Sequence, residues 1–364
     1  MIEFRADKMI IFRADGNSLI GAGHVMRCLS LADAFQKKGF DSLFILASED
    51  FKSVVENRGY MTAILHRDFR DMDGEITSIE ELIAGYIGKD TRPGLFVIDS
   101  YYVTESYFQN LRNDGFYLCY VDDLGGKAYP LDILLNYNVY GPDIDYSAPY
   151  LKNKMSVPQL FLGISYAPLR KEYQSVPERV VKKHCQKVLI SSGGTDPIHL
   201  SKNLAQYLKA NDATKKDSLQ FHFLLTKMNP DRDELLQGEW DPERIVFHDN
   251  LSCLKDIILD CDVALSASGS TLYELCACGL PTINYVLADN QIDGCKKFHA
   301  LGLMDSIGDL RGREDKIGEL AYQAILQLAN DWSKRSHMAK KMQEMVDGKG
   351  ADHFVKELLQ YGFI

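Results

Sequence analysis

The residues best suited to chemistry lie close together near the N-terminus. From Phe12 to Leu29 the sequence reads FRADGNSLIGAGHVMRCL, which predicts a strand, a polar loop containing glycine and an amphipathic helix. Gly21 and Gly23 let the backbone approach a ligand because no Cβ stands in the way. His24 would stand at the helix start, where the positive dipole end disfavours imidazolium and keeps a neutral imidazole available as a base. A histidine beside a glycine loop also serves as a cap or a packing residue, and the spacing alone leaves both interpretations open.

A second group of small polar residues follows a predicted buried strand in the other half of the chain. From Leu265 to Leu275 the sequence reads LSASGSTLYEL, and a helix is expected to start near Ser270. Free N–H groups at that start, together with Ser and Thr hydroxyls, suit a diphosphate, and Glu274 could accept hydrogen bonds from ribose hydroxyls. The alternative is a capping box that only starts the helix. No Walker A lysine is present, so a P-loop nucleoside triphosphatase is not indicated.

Two further loops of the second half offer donors to a ligand. In SSGGTDP, from Ser191 to Pro197, Gly193 and Gly194 precede a polar cap and a proline at a predicted helix start. This pattern fits an anion-binding loop and equally a plain β–α turn. The sequence from Ala288 to Gln291 reads ADNQ and offers amide donors at the carboxyl end of a strand, although it could also cap the following helix.

Carboxylates end two predicted strands of the first half. Leu95–Ile98 runs into Asp99-Ser100-Tyr101-Tyr102, and Tyr117–Val121 runs into Asp122-Asp123. Both groups would point toward the same edge of the sheet, where paired acids hold a metal or orient a base. No third ligand follows at a telling spacing, so helix capping and hydrogen bonding are favoured and no metal site is predicted.

These loops are joined by alternating strand and helix patterns, which predict parallel sheets covered on both faces. Residues 141–181 hold five of the eleven prolines and indicate a passage between domains. The predicted organisation is an N-terminal Rossmann-like domain (1–165), a linker (166–182), a C-terminal Rossmann-like domain (183–345) and a terminal helix (346–364) packing back on the first domain. In this α/β architecture the two domains face each other across a cleft, at the carboxyl ends of the strands. The predicted strands are Met9–Arg13, Leu43–Leu46, Ala63–Leu65, Leu95–Ile98, Tyr117–Val121, Ile133–Leu135, Val188–Ile190, Phe221–Leu225, Ile245–Phe247, Val263–Leu265 and Thr282–Tyr285.

Composition excludes several classes of protein. The chain has 364 residues, of which 46% are apolar and 25% charged, a composition typical of a soluble globular protein. Its net charge of −10 disfavours nucleic acid as a partner. No apolar run approaches the roughly 20 residues that span a bilayer, and the first residues lack a signal-peptide core. A cytoplasmic protein without stable membrane insertion is therefore expected, while the oligomeric state is not indicated. The eight cysteines form no CxxC pair and are expected to be reduced core residues.

Taken together and in order, the motifs resemble those of a known family, the UDP-2,4-diacetamido-2,4,6-trideoxy-β-L-altropyranose hydrolases of pseudaminic acid biosynthesis. That family is similar in fold to the lipid II N-acetylglucosaminyltransferase, and the resemblance covers residues 9–304. The motifs that carry it are Asp15–Arg27 (Asp-x5-Gly-x-Gly-His-x2-Arg), Ile98–Tyr101, Val121–Asp123, Leu134–Asn138, Gly163–Arg170, Ser192–Asp196, Ser266–Ser268 and Asn290–Gln291.

The resemblance implies the two-Rossmann glycosyltransferase B fold and metal-independent hydrolysis of a UDP-sugar without a cofactor. It implies that His24 is the water-activating base and that Tyr101 and Asn290 contact the sugar. UDP would be held by Gly193, Gly194, Ser268, Gly269, Ser270 and Glu274. The other residues assigned to substrate binding are Asp15, Gly21, Gly23, Arg27 and Gln291. The alternative functions are a UDP-sugar-dependent glycosyltransferase of the same fold and a non-catalytic nucleotide-sugar-binding protein.

Overall fold

The computed structural model describes residues 8–17, 19–87, 94–113, 116–211 and 218–364. The N-terminal residues 1–7, in which no signal-peptide core is expected, and Ser18 of the glycine-rich loop lie outside the described residues. The chain divides into two compact units. Unit 1 runs to Lys171 and includes Lys349–Ile364, and unit 2 is Glu172–Gly348.

Unit 1 is built on a sheet of seven parallel strands in the order β3-β2-β1-β4-β5-β6-β7. Every residue of the central strand β1 is buried, as expected where helices cover both faces of a parallel sheet. The strand order reverses between β1 and β4, and in open α/β sheets ligands bind outside the carboxyl ends of the strands at such a switch point. The strands are β1 (Met9–Ala14), β2 (Asp41–Leu46), β3 (Met61–Ile64), β4 (Leu95–Asp99), β5 (Leu118–Val121), β6 (Ile133–Asn136) and β7 (Gln159–Leu162), and the helices are α1 (Gly23–Gln36), α2 (Lys52–Glu56), α3 (Ile76–Ile87), α4 (Glu105–Asn113) and α5 (Ser147–Lys152).

Unit 2 repeats this topology with six parallel strands in the order β10-β9-β8-β11-β12-β13. Its switch point therefore lies between β8 and β11. The strands are β8 (Lys187–Ser191), β9 (Gln220–Leu225), β10 (Ile245–Asp249), β11 (Val263–Ala267), β12 (Thr282–Val286) and β13 (Asp305–Asp309), and the helices are α6 (Leu200–Ala210), α7 (Arg232–Gln237), α8 (Lys255–Asp260), α9 (Thr271–Ala277), α10 (Ile292–Ala300), α11 (Ile317–Asn330) and α12 (Trp332–Met345).

The last helix, α13 (Gly350–Tyr361), belongs to unit 1 although it is separated in sequence from the rest of that unit by all of unit 2. It packs against α1, and Lys37 forms an ion pair with Asp352 at 2.9 Å. The Tyr166 hydroxyl donates to the Glu357 carboxylate at 3.0 Å. Gly350 lies so close to the backbone of Ala167 that a Cβ would come within 2.4 Å of its carbonyl oxygen.

The segment predicted as a linker, residues 166–182, is divided between the two units. Its second part is fastened to unit 2 by two arginines. Arg179 donates to the carbonyl oxygens of Ile258, Cys261 and Cys278, which lie near the ends of α8 and α9. Arg335 of α12, fully buried, donates to the carbonyl oxygens of Lys182 and Lys183.

The predicted fold class is confirmed: two Rossmann-like parallel sheets with helices at the C-terminal end. All eleven predicted strands are present, most of them longer by one or two residues than predicted. Strands β7 and β13 are additional, and each lies at an edge of its sheet. Within the part of the chain that the structure describes, none of the helices has the length and apolar character needed to cross a membrane.

Candidate functional site

The switch point of unit 1 brings a histidine and a carboxylate together. His24 is the second residue of α1, which begins directly after the glycine-rich loop, and Asp99 is the last residue of β4. The His24 Nδ1 lies 2.6 Å from Asp99 Oδ1, and both residues are buried. Arg27 Nη2, which can only donate, also lies 3.0 Å from Nδ1, but the Asp99 carboxylate, which only accepts, is the nearer partner. We therefore assign the imidazole proton to Nδ1, which leaves the lone pair of a neutral ring on Nε2.

Arg27 locks this pair in place from the next turn of the same helix. Its guanidinium makes a bidentate contact with Asp99, with Nη2 at 2.5 Å from Oδ1. Its Nη1 donates to Asp123 Oδ2 at 2.9 Å and to the Tyr137 hydroxyl at 3.0 Å. With all these partners the guanidinium is held by the protein itself, and the contact of Arg27 with substrate remains a prediction.

The charges of this cluster stabilise one another. Burial alone would raise the pKa of Asp99, but Arg27 and His24 outweigh it and hold the pKa of that carboxyl well below its usual range. Burial likewise opposes the charge of Arg27, and the carboxylates of Asp123 and Asp99 raise its pKa above the ordinary value. Burial raises the pKa of Tyr137 to about 12, with Arg27 opposing the rise. Asp99 and Arg27 therefore stay ionised at neutral pH.

Asp123 and Tyr101 complete the cluster. The Tyr101 hydroxyl donates to Asp123 Oδ2 at 2.7 Å, and Asn138 donates to Asp123 Oδ1 at 2.8 Å. The Tyr101 ring stands edge-on to the His24 imidazole, with ring centroids 4.8 Å apart, and the residue is 45% exposed. Partial burial and the Asp123 carboxylate both raise the pKa of the phenol above its ordinary value, so the hydroxyl keeps its proton. Asp122, in contrast, accepts from the backbone N–H groups of Leu124 and Gly125, the local hydrogen bonding that the sequence favoured.

A second buried cluster lies at the carboxyl end of β1. Arg13 and Glu75 are both fully buried, and the guanidinium makes a bidentate contact with the Glu75 carboxylate at 2.7 and 2.8 Å. Arg13 also donates to Asp15 Oδ2 at 2.5 Å, while Asp15 Oδ1 accepts from the backbone N–H of Ala47 at 2.7 Å. Both oxygens of Asp15 thus have partners inside the protein, and this residue ties the ends of β1 and β2 together. Its contact with substrate remains a prediction.

The loop between β1 and α1 closes on itself. Asn17 and Gly21 exchange two backbone hydrogen bonds, and the Asn17 side chain accepts from the backbone N–H groups of Leu19 and Ile20. Gly21 has φ +73°, a conformation that favours glycine. A Cβ at Gly23 would meet nothing within 4 Å, so the backbone beside His24 is open.

In unit 2, the loop after β8 exposes Gly193, Gly194 and Thr195. The N-terminus of α6 is not free for an anion, because the buried Asp196 carboxylate accepts from the backbone N–H groups of Leu200 and Ser201, each at 2.9 Å. The expected anion-binding loop is therefore limited to the exposed glycines and Thr195. The N-terminus of α6 is capped by the Asp196 side chain.

The loop after β11 retains some of its predicted donors. Ser268 uses both its backbone N–H and its hydroxyl on the Tyr285 carbonyl oxygen, and Gly269 donates its N–H to Ala267. Ser270 is the N-cap residue of α9 but makes no side-chain capping bond, so the alternative of a capping box is not realised. Among the described residues, the backbone N–H groups of Ser270 and Thr271 have no acceptor.

The loop after β12 carries the predicted amide pair. Asn290 is exposed, and its side chain makes no hydrogen bond to any residue that the structure describes. The Gln291 side-chain oxygen accepts from the backbone N–H of Leu287 at 3.1 Å, so Gln291 shapes the loop. Glu274 is half-buried in the first turn of α9.

The sequence predicts Asp99 at the end of a strand but does not show that it is the partner of His24. The signal was a carboxylate at the end of a strand, but pairing it with His24 requires knowing that β4 lies beside β1. The Arg13–Glu75 pair gave no signal, because its members are 62 residues apart. Within the described ranges, no group of three or more His, Cys, Asp or Glu side chains is arranged to hold a metal ion.

Comparison with known proteins found relatives at low identity, and no family model matches the chain. An uncharacterised protein of Methanocaldococcus jannaschii is 24% identical over 76% of this chain and 55% of its own length. A Helicobacter pylori protein named pseudaminic acid cytidylyltransferase and UDP-2,4-diacetamido-2,4,6-trideoxy-β-L-altropyranose hydrolase is 24% identical over 78% of this chain. A Campylobacter jejuni protein named as the hydrolase alone is 30% identical over 55% of this chain and 65% of its own. The resemblance noted from the motifs is confirmed by these names. The match spans about half of the length of the first two relatives, 55% and 45%.

Solved structures share the fold over nearly the whole chain. MurG of Acinetobacter baumannii has a TM-score of 0.64 at 13% identity and covers 97% of this chain and 99% of its own. The Phytolacca americana protein UGT2, solved with UDP-2-fluoro-glucose and pterostilbene, has a TM-score of 0.65 at 12% identity, covering 97% of this chain and 99% of its own. At such identities the likeness establishes the fold of sugar-nucleotide-dependent glycosyltransferases.

Proposed function

We propose that this chain hydrolyses a UDP-linked diacetamido-trideoxy sugar to the free sugar and UDP, in the biosynthesis of a nonulosonic acid such as pseudaminic acid. The observation that carries the proposal is the His24–Asp99 pair at the switch point of unit 1, with Nδ1 2.6 Å from the carboxylate. The names of two relatives support the substrate class. The proposed base lies in unit 1, and the proposed nucleotide site lies in unit 2.

The proposed base is His24. With its Nδ1–H donating a hydrogen bond to Asp99, its Nε2 takes a proton from a water molecule directed at the anomeric carbon. Asp99 stabilises the imidazolium that forms, as a buried carboxylate does for a catalytic histidine. General-base catalysis of this kind contributes about 10²–10⁴-fold to the rate. Attack opposite the leaving group inverts the anomeric centre.

The proposed nucleotide site is the switch point of unit 2. The exposed glycines 193 and 194 and the free N–H groups of Ser270 and Thr271 offer donors to the diphosphate. Donors already oriented toward the leaving group stabilise its negative charge without help from a metal. Asn290, exposed at the end of β12, offers an amide to the sugar, and Glu274 offers a carboxylate to the ribose.

Product analysis tests the proposal. The protein is incubated without acceptor with a panel of UDP-sugars that includes UDP-2,4-diacetamido-2,4,6-trideoxy-β-L-altropyranose, and UDP and free sugar are followed by NMR. Sustained release of both is expected, and in ¹⁸O-water the label should appear in the sugar. Label in UDP would show P–O cleavage and contradict the mechanism.

The His24→Ala variant tests the base. Its turnover should fall by at least about 10²-fold, while its dissociation constant for UDP, measured by calorimetry, stays that of the parent, because unit 2 is unchanged. Exposed His184, replaced by Gln, serves as a matched control. Parent-like turnover by His24→Ala would remove the catalytic assignment.

A glycosyltransferase is the second candidate, because the solved structures that share the fold include CalG4, the calicheamicin glycosyltransferase. In that case a sugar or lipid hydroxyl replaces water at His24. Release of UDP only after an acceptor is added would favour this function over hydrolysis.

A further inference from the structure

Asp123 joins three parts of unit 1. Its carboxylate accepts from Arg27 of α1, from Tyr101 in the turn after β4 and from Asn138 in the turn after β6. The backbone oxygen of Asp123 also accepts from the Tyr140 hydroxyl at 3.2 Å. With only 11% of its side chain exposed and both oxygens occupied, this carboxylate faces its protein partners and has little surface left for a ligand.

Tyr101, in contrast, is 45% exposed. Its ring edge meets His24, the proposed base, and its hydroxyl is fixed by Asp123. A tyrosine side chain with a free hydroxyl would keep rotational freedom that has to be given up when a ligand binds. The hydrogen bond to Asp123 removes that freedom beforehand.

We propose that Asp123 is a positioning residue, which holds the Tyr101 phenol in the orientation that contacts the sugar of the substrate. This inference rests on the proposed function and deepens it. Since the phenol O–H donates a hydrogen bond to Asp123, its oxygen meets the substrate as a hydrogen-bond acceptor. The site therefore selects a sugar that presents a donor there, an acetamido N–H or a hydroxyl.

Arg27 connects the Asp123–Tyr101 pair to the proposed base, His24. One guanidinium contacts both Asp99, which orients His24, and Asp123, which orients Tyr101. The distance between base and sugar contact is thereby fixed through side chains of α1 and the ends of β4 and β5.

A double-mutant cycle tests the inference. Tyr101→Phe, Asp123→Asn and the double variant are compared with the parent in steady-state release of UDP from UDP-2,4-diacetamido-2,4,6-trideoxy-β-L-altropyranose. Each single variant should raise KM about 10–50-fold and change kcat less than about 3-fold, because the contact is present in the ground state as well. The double variant should be no worse than about 3-fold beyond either single one, since Asp123 has no phenol hydroxyl left to hold.

Tyr102→Phe is the matched control. Tyr102 is the next residue in the chain, is 37% exposed and packs on Phe69, outside this cluster. Its variant should keep the KM and kcat of the parent. The dissociation constant for UDP alone should be unchanged in all variants, because UDP lacks the altropyranose that Tyr101 is proposed to contact.

The outcomes separate the inference from the function on which it rests. If the parent releases UDP but the two substitutions multiply independently, Asp123 does not act through Tyr101 and the inference is overturned. If the parent releases no UDP from any UDP-sugar, the proposed function fails and the inference with it.

Asp123→Glu guards against a folding defect in Asp123→Asn. It keeps the negative charge beside Arg27 and displaces the carboxylate by one methylene. It should raise KM in the presence of Tyr101 and have less than a 3-fold effect in the Tyr101→Phe background. An equal effect in both backgrounds would contradict the proposal.

Discussion

Asp99 is the residue on which the orientation of the proposed base depends. Asp99→Asn replaces the acceptor of the His24 Nδ1 proton by an amide, so the tautomer with a free Nε2 lone pair is no longer favoured and the imidazolium is no longer stabilised. We expect kcat for UDP release to fall by about 10²–10⁴-fold with little change in UDP affinity. Asp122→Asn, which removes a carboxylate bonded to backbone N–H groups, is the control and should stay within a few-fold of the parent.

Glu75 is a single residue that is important for the stability of unit 1. Arg13 and Glu75 are fully buried, and Glu75→Gln leaves the guanidinium with only the Asp15 carboxylate as a charged partner. We expect the free energy of unfolding, measured by urea denaturation, to fall by about 3–5 kcal/mol. Asp68→Asn removes a carboxylate from an exposed pair with Arg70 and should leave the stability unchanged. A similar loss of unfolding free energy in Glu75→Gln and Asp68→Asn would contradict the view that burial makes the Arg13–Glu75 pair more important for stability than an exposed pair.

The sequence predicts His24, Tyr101 and Arg27 as site residues but does not show which carboxylates hold them. A glycine loop before a helix is a local pattern and can be read from neighbouring residues. The contacts of Asp99 and Asp123 with Arg27 bridge 72 and 96 positions, so they depend on the order of strands in the sheet. The same holds for Asp15, whose hydrogen-bond partner Ala47 lies at the end of another strand.

At the scale of elements, the central strands were predictable and two edge strands were not. Buried parallel strands such as β1 and β4 are continuous apolar runs, which the pattern detects. β13 has the sequence DSIGD and only partly buried or exposed residues, so no apolar run marks it. β7 has the sequence QLFL and lies within the proline-containing stretch that predicted a passage between domains.

The pairing of β9 with β10 brings two histidines together, from which we expect the free energy of unfolding to depend on pH. His222 Nδ1 lies 2.9 Å from His248 Nε2, and Gln220 contacts His222 Nε2 at 3.0 Å. Burial, followed by the charges of His248 and Lys187, lowers the pKa of His222 to about 4, while Asp260 opposes the shift. The unfolded chain therefore takes up a proton near pH 6.5 that the folded chain does not.

The stability contributed by this pair is complete above about pH 6.5 and is lost as the pH falls toward 4. We expect a decrease of about 1–2 kcal/mol in the free energy of unfolding over that range. His222→Gln should reduce the slope, and His184→Gln, at an exposed position, should not. Identical pH profiles of His222→Gln and the parent would contradict this origin.

At the scale of the whole molecule, unit 1 depends on a helix from the far end of the chain. In Gly350→Ala the new Cβ would meet the backbone of Ala167 at 2.4 Å, so α13 has to shift, and we expect a loss of about 1–3 kcal/mol in the stability of unit 1. Gly85→Ala, in α3, meets nothing within 4 Å and should stabilise the protein by about 0.5–1 kcal/mol. Thermal unfolding of both variants measures the difference. A gain in stability from Gly350→Ala would contradict the close approach of Gly350 to the backbone of Ala167.

Because α13 belongs to unit 1, biosynthesis of this protein has a fixed order of events. A ribosome delivers all strands of unit 1 first and then all of unit 2, and the helix that packs on α1 emerges only after unit 2. Unit 2 is contiguous in sequence and is able to fold as soon as it emerges. Until α13 has emerged, the surface of α1 that it covers is exposed, and nascent chains stalled before Lys349 would be the form most prone to aggregate or to bind chaperones.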